Sequence, residues 1–326
     1  MSSKYLQVII CLAIVLGTSV SCKKNETEVG GKKKLTIGII QTATHPALDQ
    51  AREGFISEMK DLLQDDVEFI IQNAEGSLSQ AQLIAENYHS HKKIDAIYAI
   101  ATPAVQAQAR KEKIKPIFIA AVSDPKALGV IYPGTNVCGT SDMIDTDAQA
   151  ELIAQLFPQV GQVAIVYNPA ETNSCVMVKK MQQSLDKKNI QQITLGVHSE
   201  SEIAQTINLA ARKSQLILVP ADNLIVGAMP LVAKLALEKR CPLVASDTPS
   251  VSKGALVVRG ADYQDLGRAT ARMAYKVLVE GETAEEVGVK DPENSRILLN
   301  EHVAKELGVV IPEELQSQIT LVIGKE

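Results

Sequence analysis

The 326-residue chain is 46% hydrophobic and 22% charged, enough apolar mass to fill the cores of two ordinary domains. Its 33 Lys and Arg are outnumbered by 38 Asp and Glu, and the resulting net charge of -5, with no basic patch interleaved with aromatics, excludes nucleic acid as an expected partner. With no Trp, 7 Tyr and 4 Phe, the chain is also poor in the flat rings on which sugars commonly stack.

The first residues read as a targeting segment rather than part of a fold. Lys4 supplies a positive start, residues 8–16 an apolar run too short to span a bilayer comfortably, and residues 17–21 small side chains ahead of Cys22. This order predicts a bacterial lipoprotein signal over 1–21, with Cys22 becoming a lipid-modified N-terminus, although Ser19 stands where a Leu is usual. Plain secretion is the next reading. Residues 22–34, almost devoid of apolar side chains, form the lipidated Cys and a solvated tether. The expected location is extracytoplasmic, anchored to a bacterial membrane through the lipid.

Beyond the tether, residues 35–40 are an apolar run, Thr44-His45-Pro46 a polar turn, and Leu48, Ala51, Phe55 and Met59 recur at helical spacing. That is a strand, a loop and an amphipathic helix. The layout returns about 120–130 residues later, at 163–180. Strands at 67–72, 96–101 and 116–121 follow the first copy, and strands at 192–197, 215–220 and 242–246 follow the second, all separated by helical stretches. Runs apolar on both faces, such as IYAI and LILV, mark parallel sheets covered by helices on both sides.

Ligands of such sheets bind outside the carboxyl ends of the strands, so the informative residues stand where each run stops. They are Thr44-His45-Pro46, the loop from Asn73 to Ser77, Thr102-Pro103-Ala104 and Ser123-Asp124-Pro125 in the first lobe. In the second they are Asn168-Pro169, His198-Ser199-Glu200, Ala221-Asp222-Asn223 and Ser246-Asp247-Thr248-Pro249. Most pair a capping side chain with a first-turn Pro, which starts a helix without any ligand. In a two-lobed protein, however, all of these loops face one cleft, and helix N-termini there offer unpaired N–H groups.

Between the lobes, residues 138–147 (CGTSDMIDTD) read as a hinge, followed by a helix at 149–157. A strand at 254–258, a long helix at 263–280, a polar loop at 281–294, a strand at 296–300 and a helix at 302–308 complete the chain. Crossings after the first lobe, near 253–255 and near 281 give the three connections of a hinged clamshell. The predicted lobes are 35–141 plus 255–281 (N-terminal) and 142–254 plus 282–326 (C-terminal), an α/β architecture.

HPALDQAREGF, ATPAVQAQA, SDPKALGV, GTSD, YNPAETNS, PADN, SDTPSVSKGAL and DYQDLGRATARMA, in that order, resemble one family throughout residues 34–281. It is the substrate-binding lipoprotein family of ABC importers that includes tryptophan- and other aromatic amino-acid-binding members. The resemblance implies a type I periplasmic-binding fold, a lipid anchor, and delivery of a small solute to an ABC permease and its ATPase; a monomer is expected, with no cofactor or metal. Carried over, the cleft residues are Thr44, His45, Pro46, Thr102, Pro103, Ala104, Asp124, Ser141, Asp142, Asn168, Asn173, Ser174, Asp222, Asn223 and Asp247.

An amino acid needs donors for its carboxylate and a carboxylate for its ammonium. The hydroxyls of Thr102, Ser141 and Ser174 are candidates for the first; for the second, Asp222 and Asp247 are favoured over Asp124. Tyr98 and Tyr167 either flank the ligand's side chain or pack in the core. Enzyme motifs are absent: there is no G-x-S-x-G elbow, Walker loop, G-x-G-x-x-G or H-E-x-x-H. His89 and His91 read as solvated. Cys138, Cys175 and Cys241 have no metal-ligand spacing. A sensory receptor domain with the same clamshell, binding of a nucleoside or other small metabolite, and a periplasmic enzyme on this scaffold are the alternatives. A sensor would need a transmembrane or DNA-binding module, and an enzyme a nucleophile–base pair.

Overall fold

A strand whose every side chain is apolar must be covered on both faces, and the computed structural model covers each of them so. It describes residues 34–293 and 295–324; the signal segment, Cys22 and the tether up to residue 33 lie outside the described residues. The strands are β1 (Leu35–Gln41), β2 (Val67–Asn73), β3 (Ala96–Ile100), β4 (Ile117–Ala120), β5 (Val137–Thr140), β6 (Gln162–Tyr167), β7 (Gln191–Gly196), β8 (Leu216–Val219), β9 (Leu243–Ala245), β10 (Val257–Gly260), β11 (Val289–Lys290), β12 (Arg296–Asn300) and β13 (Ile319–Ile323). They form two sheets, ordered β11-β5-β4-β3-β1-β2 and β13-β12-β10-β9-β8-β6-β7. Every pair is parallel except β10 with β12.

The helices are α1 (Pro46–Leu63), α2 (Leu78–Ser90), α3 (Thr102–Lys111), α4 (Thr146–Leu156), α5 (Thr172–Asp186), α6 (Glu200–Lys213), α7 (Asn223–Gly227), α8 (Met229–Glu238), α9 (Tyr263–Tyr275), α10 (Ala284–Val287), α11 (Glu301–Leu307) and α12 (Glu313–Gln316). Strand alternation divides each core into two layers. In β3, Ala96, Tyr98 and Ile100 pack with Phe55 and Met59 of α1, while Ile97 and Ala99 face Ile84 and Tyr88 of α2. Tyr98 is wholly buried, its ring stacked on Phe55 at 3.9 Å between centroids and its hydroxyl donating to Ala51 O at 3.1 Å. Tyr167 packs at the edge of the second lobe's core. Both tyrosines therefore belong to the core.

The lobe boundaries differ from those expected. β10, placed in the first lobe by the sequence, pairs with β9 and β12 in the second sheet. Gly254, read as the start of a crossing, instead closes the 3₁₀ turn Thr248–Lys253 with a left-handed φ of 107°. The chain crosses later, at Ala261–Asp262, where Asp262 accepts from Asp265 N and caps α9. α9 lies against α1 in the first lobe, so closely that a Cβ on Gly267 would stand 2.1 Å from Ala51 O and one on Gly54 2.2 Å from Gln264 O. The polar stretch after it also stays in the first lobe: α10 packs in that core and β11 pairs with β5. The third crossing lies between Lys290 and Arg296.

Candidate functional site

Where strands and hinge converge, the two lobes enclose a small cavity, with free space of about 20 Å³. Its polar wall is His45, Asp142, Asn173, Asp222, Asn223, Asp247 and Tyr263, and its apolar wall Ala47, Leu48, Ala121, Ala221 and Val226. Ala121 ends β4 with a left-handed φ of 56°, turning the chain at the cavity edge. No Lys or Arg lines the cavity, while three carboxylates do.

These carboxylates are not equivalent. Asp222 caps α7: Oδ1 accepts from Ile225 N at 3.0 Å and Oδ2 from Asn168 N and the Ser174 hydroxyl, both at 2.6 Å. Asp247 caps its 3₁₀ turn, accepting from Ser250 N at 3.1 Å and from the Ser250 hydroxyl on both oxygens. Asp142 stands on the first crossing; Oδ2 accepts from the Tyr263 hydroxyl at 2.9 Å, and Oδ1 is buried with no hydrogen bond of good geometry, the Ser123 hydroxyl standing near the carboxylate. Burial raises all three carboxyls. Asp247 is pushed up to about 6, Asp222 is raised further by the neighbouring Glu171 carboxylate, and Asp142 is held back by the Ser123 and Tyr263 hydroxyls. The buried Tyr263 phenol, facing Asp142 and Asp247, is driven well up.

Two more buried polar atoms of the wall lack partners, His45 Nδ1 and Asn173 Oδ1. Such atoms are uncommon in folded proteins and costly to leave unmade. With Asp142 Oδ1, three such atoms stand on residues of this one cavity.

The carried-over residues thus divide into three groups. His45, Asp142, Asn173, Asp222, Asn223 and Asp247 meet at the cavity, while Thr44, Pro103 and Asn168 line a second groove, which Asn223 also borders. The rest serve elsewhere. Pro46 is the first-turn Pro of α1. Thr102 is buried with its hydroxyl unpartnered, and Ala104 packs in the core with its amide donating to Thr42 Oγ1 at 3.1 Å. Ser141 donates to Asp291 across the hinge, and Ser174 to Asp222. Asp124 caps Ala127 N at 2.9 Å and reaches Lys180 Nζ of the second lobe at 3.5 Å. Of the hydroxyls expected to hold a carboxylate, those of Ser141 and Ser174 are engaged and that of Thr102 is buried without a partner, while the cavity carboxylate with an open acceptor is Asp142 rather than Asp222 or Asp247.

Sequence reasoning missed Glu171 and Tyr263. Glu171 accepts from Asn223 N at 3.1 Å, Leu224 N at 3.2 Å and Asn223 Nδ2 at 2.5 Å, and so holds the α7 N-terminus at the second groove. Its signal was its place between Asn168 and Asn173 in a strand-end loop. Tyr263 follows the cap Asp262 at a crossing, which marks it as a hinge-side residue. His89 is exposed, as expected, and its Nδ1 also lies 3.0 Å from the buried Glu112 carboxylate. Cys138, Cys175 and Cys241 are all free thiols.

Two parallel-sheet lobes joined by three crossings around a polar cavity define a type I periplasmic-binding fold. The chain belongs to the ABC transporter substrate binding protein family, which it matches over residues 36–323. It is 37% identical to the tyrosine-binding protein of Clostridioides difficile (strain R20291), over 94% of this chain and 92% of that one. It superposes with a TM-score of 0.85 and 31% identity on the ABC domain from Streptococcus pneumonia in complex with L-Trp, covering 89% of this chain and 100% of that one. Against the ligand-free, open structure of a Clostridium difficile substrate-binding protein with adhesive properties, identity is 36% but the TM-score is 0.68, with 89% and 100% covered. The more identical sequence is the less similar shape, and that one is an open structure. In this chain contacts cross the cleft: His45 Nε2 meets Asn223 Oδ1 at 3.2 Å, and Gln106 Nε2 donates to Thr172 Oγ1 at 3.2 Å.

Proposed function

We propose that this solute-binding component of an ABC importer captures one aromatic L-amino acid in the interlobe cavity and delivers it to a membrane permease. The observation that carries the reading is the open acceptor Asp142 Oδ1, a carboxylate oxygen buried at the cavity wall in a site without a cationic side chain. An ammonium group supplies both the charge and the donors that such a wall lacks. The tyrosine- and tryptophan-binding relatives support an aromatic side chain, which would lie against Leu48, Val226 and the alanines. Ligand contacts from both lobes favour the closed form, because a ligand shifts the equilibrium only by its difference in affinity for the two states.

In this reading the protein works outside the cytoplasm as a monomer, held by a lipid on Cys22 at the end of the 22–34 tether. Cys22→Ala would then release it from the membrane fraction. Thermal unfolding against amino acids, purines and small sugars tests the ligand class. A ligand at 100 times its Kd adds about 2.7 kcal/mol. A shift with L-tyrosine or L-tryptophan is expected; a shift confined to purines or sugars would overturn the reading.

A further inference from the structure

His45, Asn223 and Glu171 form a hydrogen-bonded chain across the cleft whose direction is fixed at one end. The Glu171 carboxylate accepts from Asn223 Nδ2 at 2.5 Å, from the amides of Asn223 and Leu224, and from Asn173 Nδ2 at 3.2 Å. With its Nδ2 committed there, Asn223 presents Oδ1 to His45, and the His45 Nε2 lying 3.2 Å away must be the donor. Burial of the ring disfavours a second proton, against the pull of Asn223, Glu171 and Asp49. The other nitrogen, Nδ1, is then a bare acceptor, buried and unpartnered, on a residue of the cavity wall.

His45 and Asp142 serve different parts of a ligand. The carboxylates that act on the His45 ring include Glu171 and Asp49, while Asp142 accepts from the Tyr263 hydroxyl at the hinge end. A ligand whose ammonium lies at Asp142 extends its side chain away from the hinge.

We propose that the Glu171–Asn223 pair fixes the tautomer of His45 as the lobes close, so that Nδ1 accepts a hydrogen bond from a donor on the ligand's ring. The inference rests on the amino-acid reading above and adds to it a selection rule. Phenol O–H or indole N–H ligands satisfy Nδ1, whereas a phenyl ring leaves it desolvated and unpaired. Asn223 and Glu171 are positioning residues, since they act through the imidazole. Because His45 stands on one lobe and its partners on the other, only the closed form sets the tautomer.

The test is calorimetric titration of the purified full-length protein with L-tyrosine, L-tryptophan and L-phenylalanine, repeated on His45→Phe and Asn223→Leu. The wild type is expected to favour L-tyrosine or L-tryptophan over L-phenylalanine by about ten- to a hundredfold. In both variants this ratio should collapse toward one, even where absolute affinities change, and a purely structural role would leave it standing. Nitrogen-15 spectra of the imidazole in the complex should show the proton on Nε2 and none on Nδ1. Equal binding of all three ligands by the wild type, a ratio that survives in both variants, or a proton on Nδ1 would overturn the inference and leave the amino-acid reading intact. Binding of none of them would instead defeat that reading.

Discussion

Replacing Asp142 by Asn keeps the shape of the side chain and removes its charge, and two opposite effects follow. The amide oxygen still accepts from the Tyr263 hydroxyl, now bonded at 2.9 Å, but an N–H₂ replaces the open oxygen Oδ1 at the cavity. A charge-assisted hydrogen bond to the ligand's ammonium is lost, about 3 kcal/mol, so L-tyrosine or L-tryptophan should bind about a hundredfold more weakly. The ligand-free fold should gain. Burial raises the Asp142 carboxyl, so the folded state holds its proton to higher pH than the unfolded chain. Stability is then fully present below the unfolded value near 4, and falls as pH rises toward the folded value. Asp247, pushed up to about 6, adds to the same fall, while His45, lowered by burial, acts in the opposite sense and is common to both proteins. At pH 7.5 the Asn variant should gain about 1–2 kcal/mol, or ~2–6 °C in Tm, and its stability should decline less steeply above pH 4. Titration calorimetry and scanning calorimetry between pH 5 and about 7.5 measure the two effects. Binding within threefold of wild type, or a lowered Tm, would refute the role given to Asp142.

Three further changes probe the frame around the site. Gly267→Ala places a Cβ 2.1 Å from Ala51 O and 2.8 Å from Phe55 N, main-chain atoms that cannot yield without moving α1. After the helix-propensity gain of about 1 kcal/mol, a net loss of about 2–4 kcal/mol is expected, read as a lowered Tm. Gln108 is fully buried and neither end of its amide finds a partner, so Gln108→Met should stabilise by about 1–2 kcal/mol in denaturant unfolding. Lys180→Met removes the 3.5 Å contact to Asp124 across the lobes. Both groups are partly exposed, so stopped-flow release of L-tyrosine should quicken only about two- to fivefold, with the difference fading in high salt.

The strands and their ends were legible because a parallel sheet covered on both sides demands unbroken apolar runs, and few other structures do. The loops facing the cleft followed from that, and His45, Asp142, Asn173, Asp222, Asn223 and Asp247 do meet at one cavity. What the pattern could not separate was capping from ligand contact. Asp124, Asp222 and Asp247 each turn their oxygens to their own backbone, at Ala127, Ile225 and Ser250, as N-cap residues in that sequence pattern do. Asp142, outside any helix start, carried no such signal. Glu171 and Tyr263 were missed because their roles exist only through partners distant in the chain, Asn223 and Asp142. The position of β10 was missed because Gly254 signals a change of direction equally well for a turn within a lobe and for a passage between lobes.

The pairing of Asp142 with Tyr263 joins the first crossing to the helix that begins just after the second. Both residues therefore sit at the fulcrum of the clamshell, where a swing of the lobes displaces atoms least, while His45 and Asn223 stand on the jaws. A molecule seated at the fulcrum keeps its grip throughout the swing, and the jaws inspect it only at the end of their travel. In the proposed binding mode, arrival and scrutiny would be separate events in time: the charged end of a solute would decide whether it is held, and its far end whether the jaws stay shut.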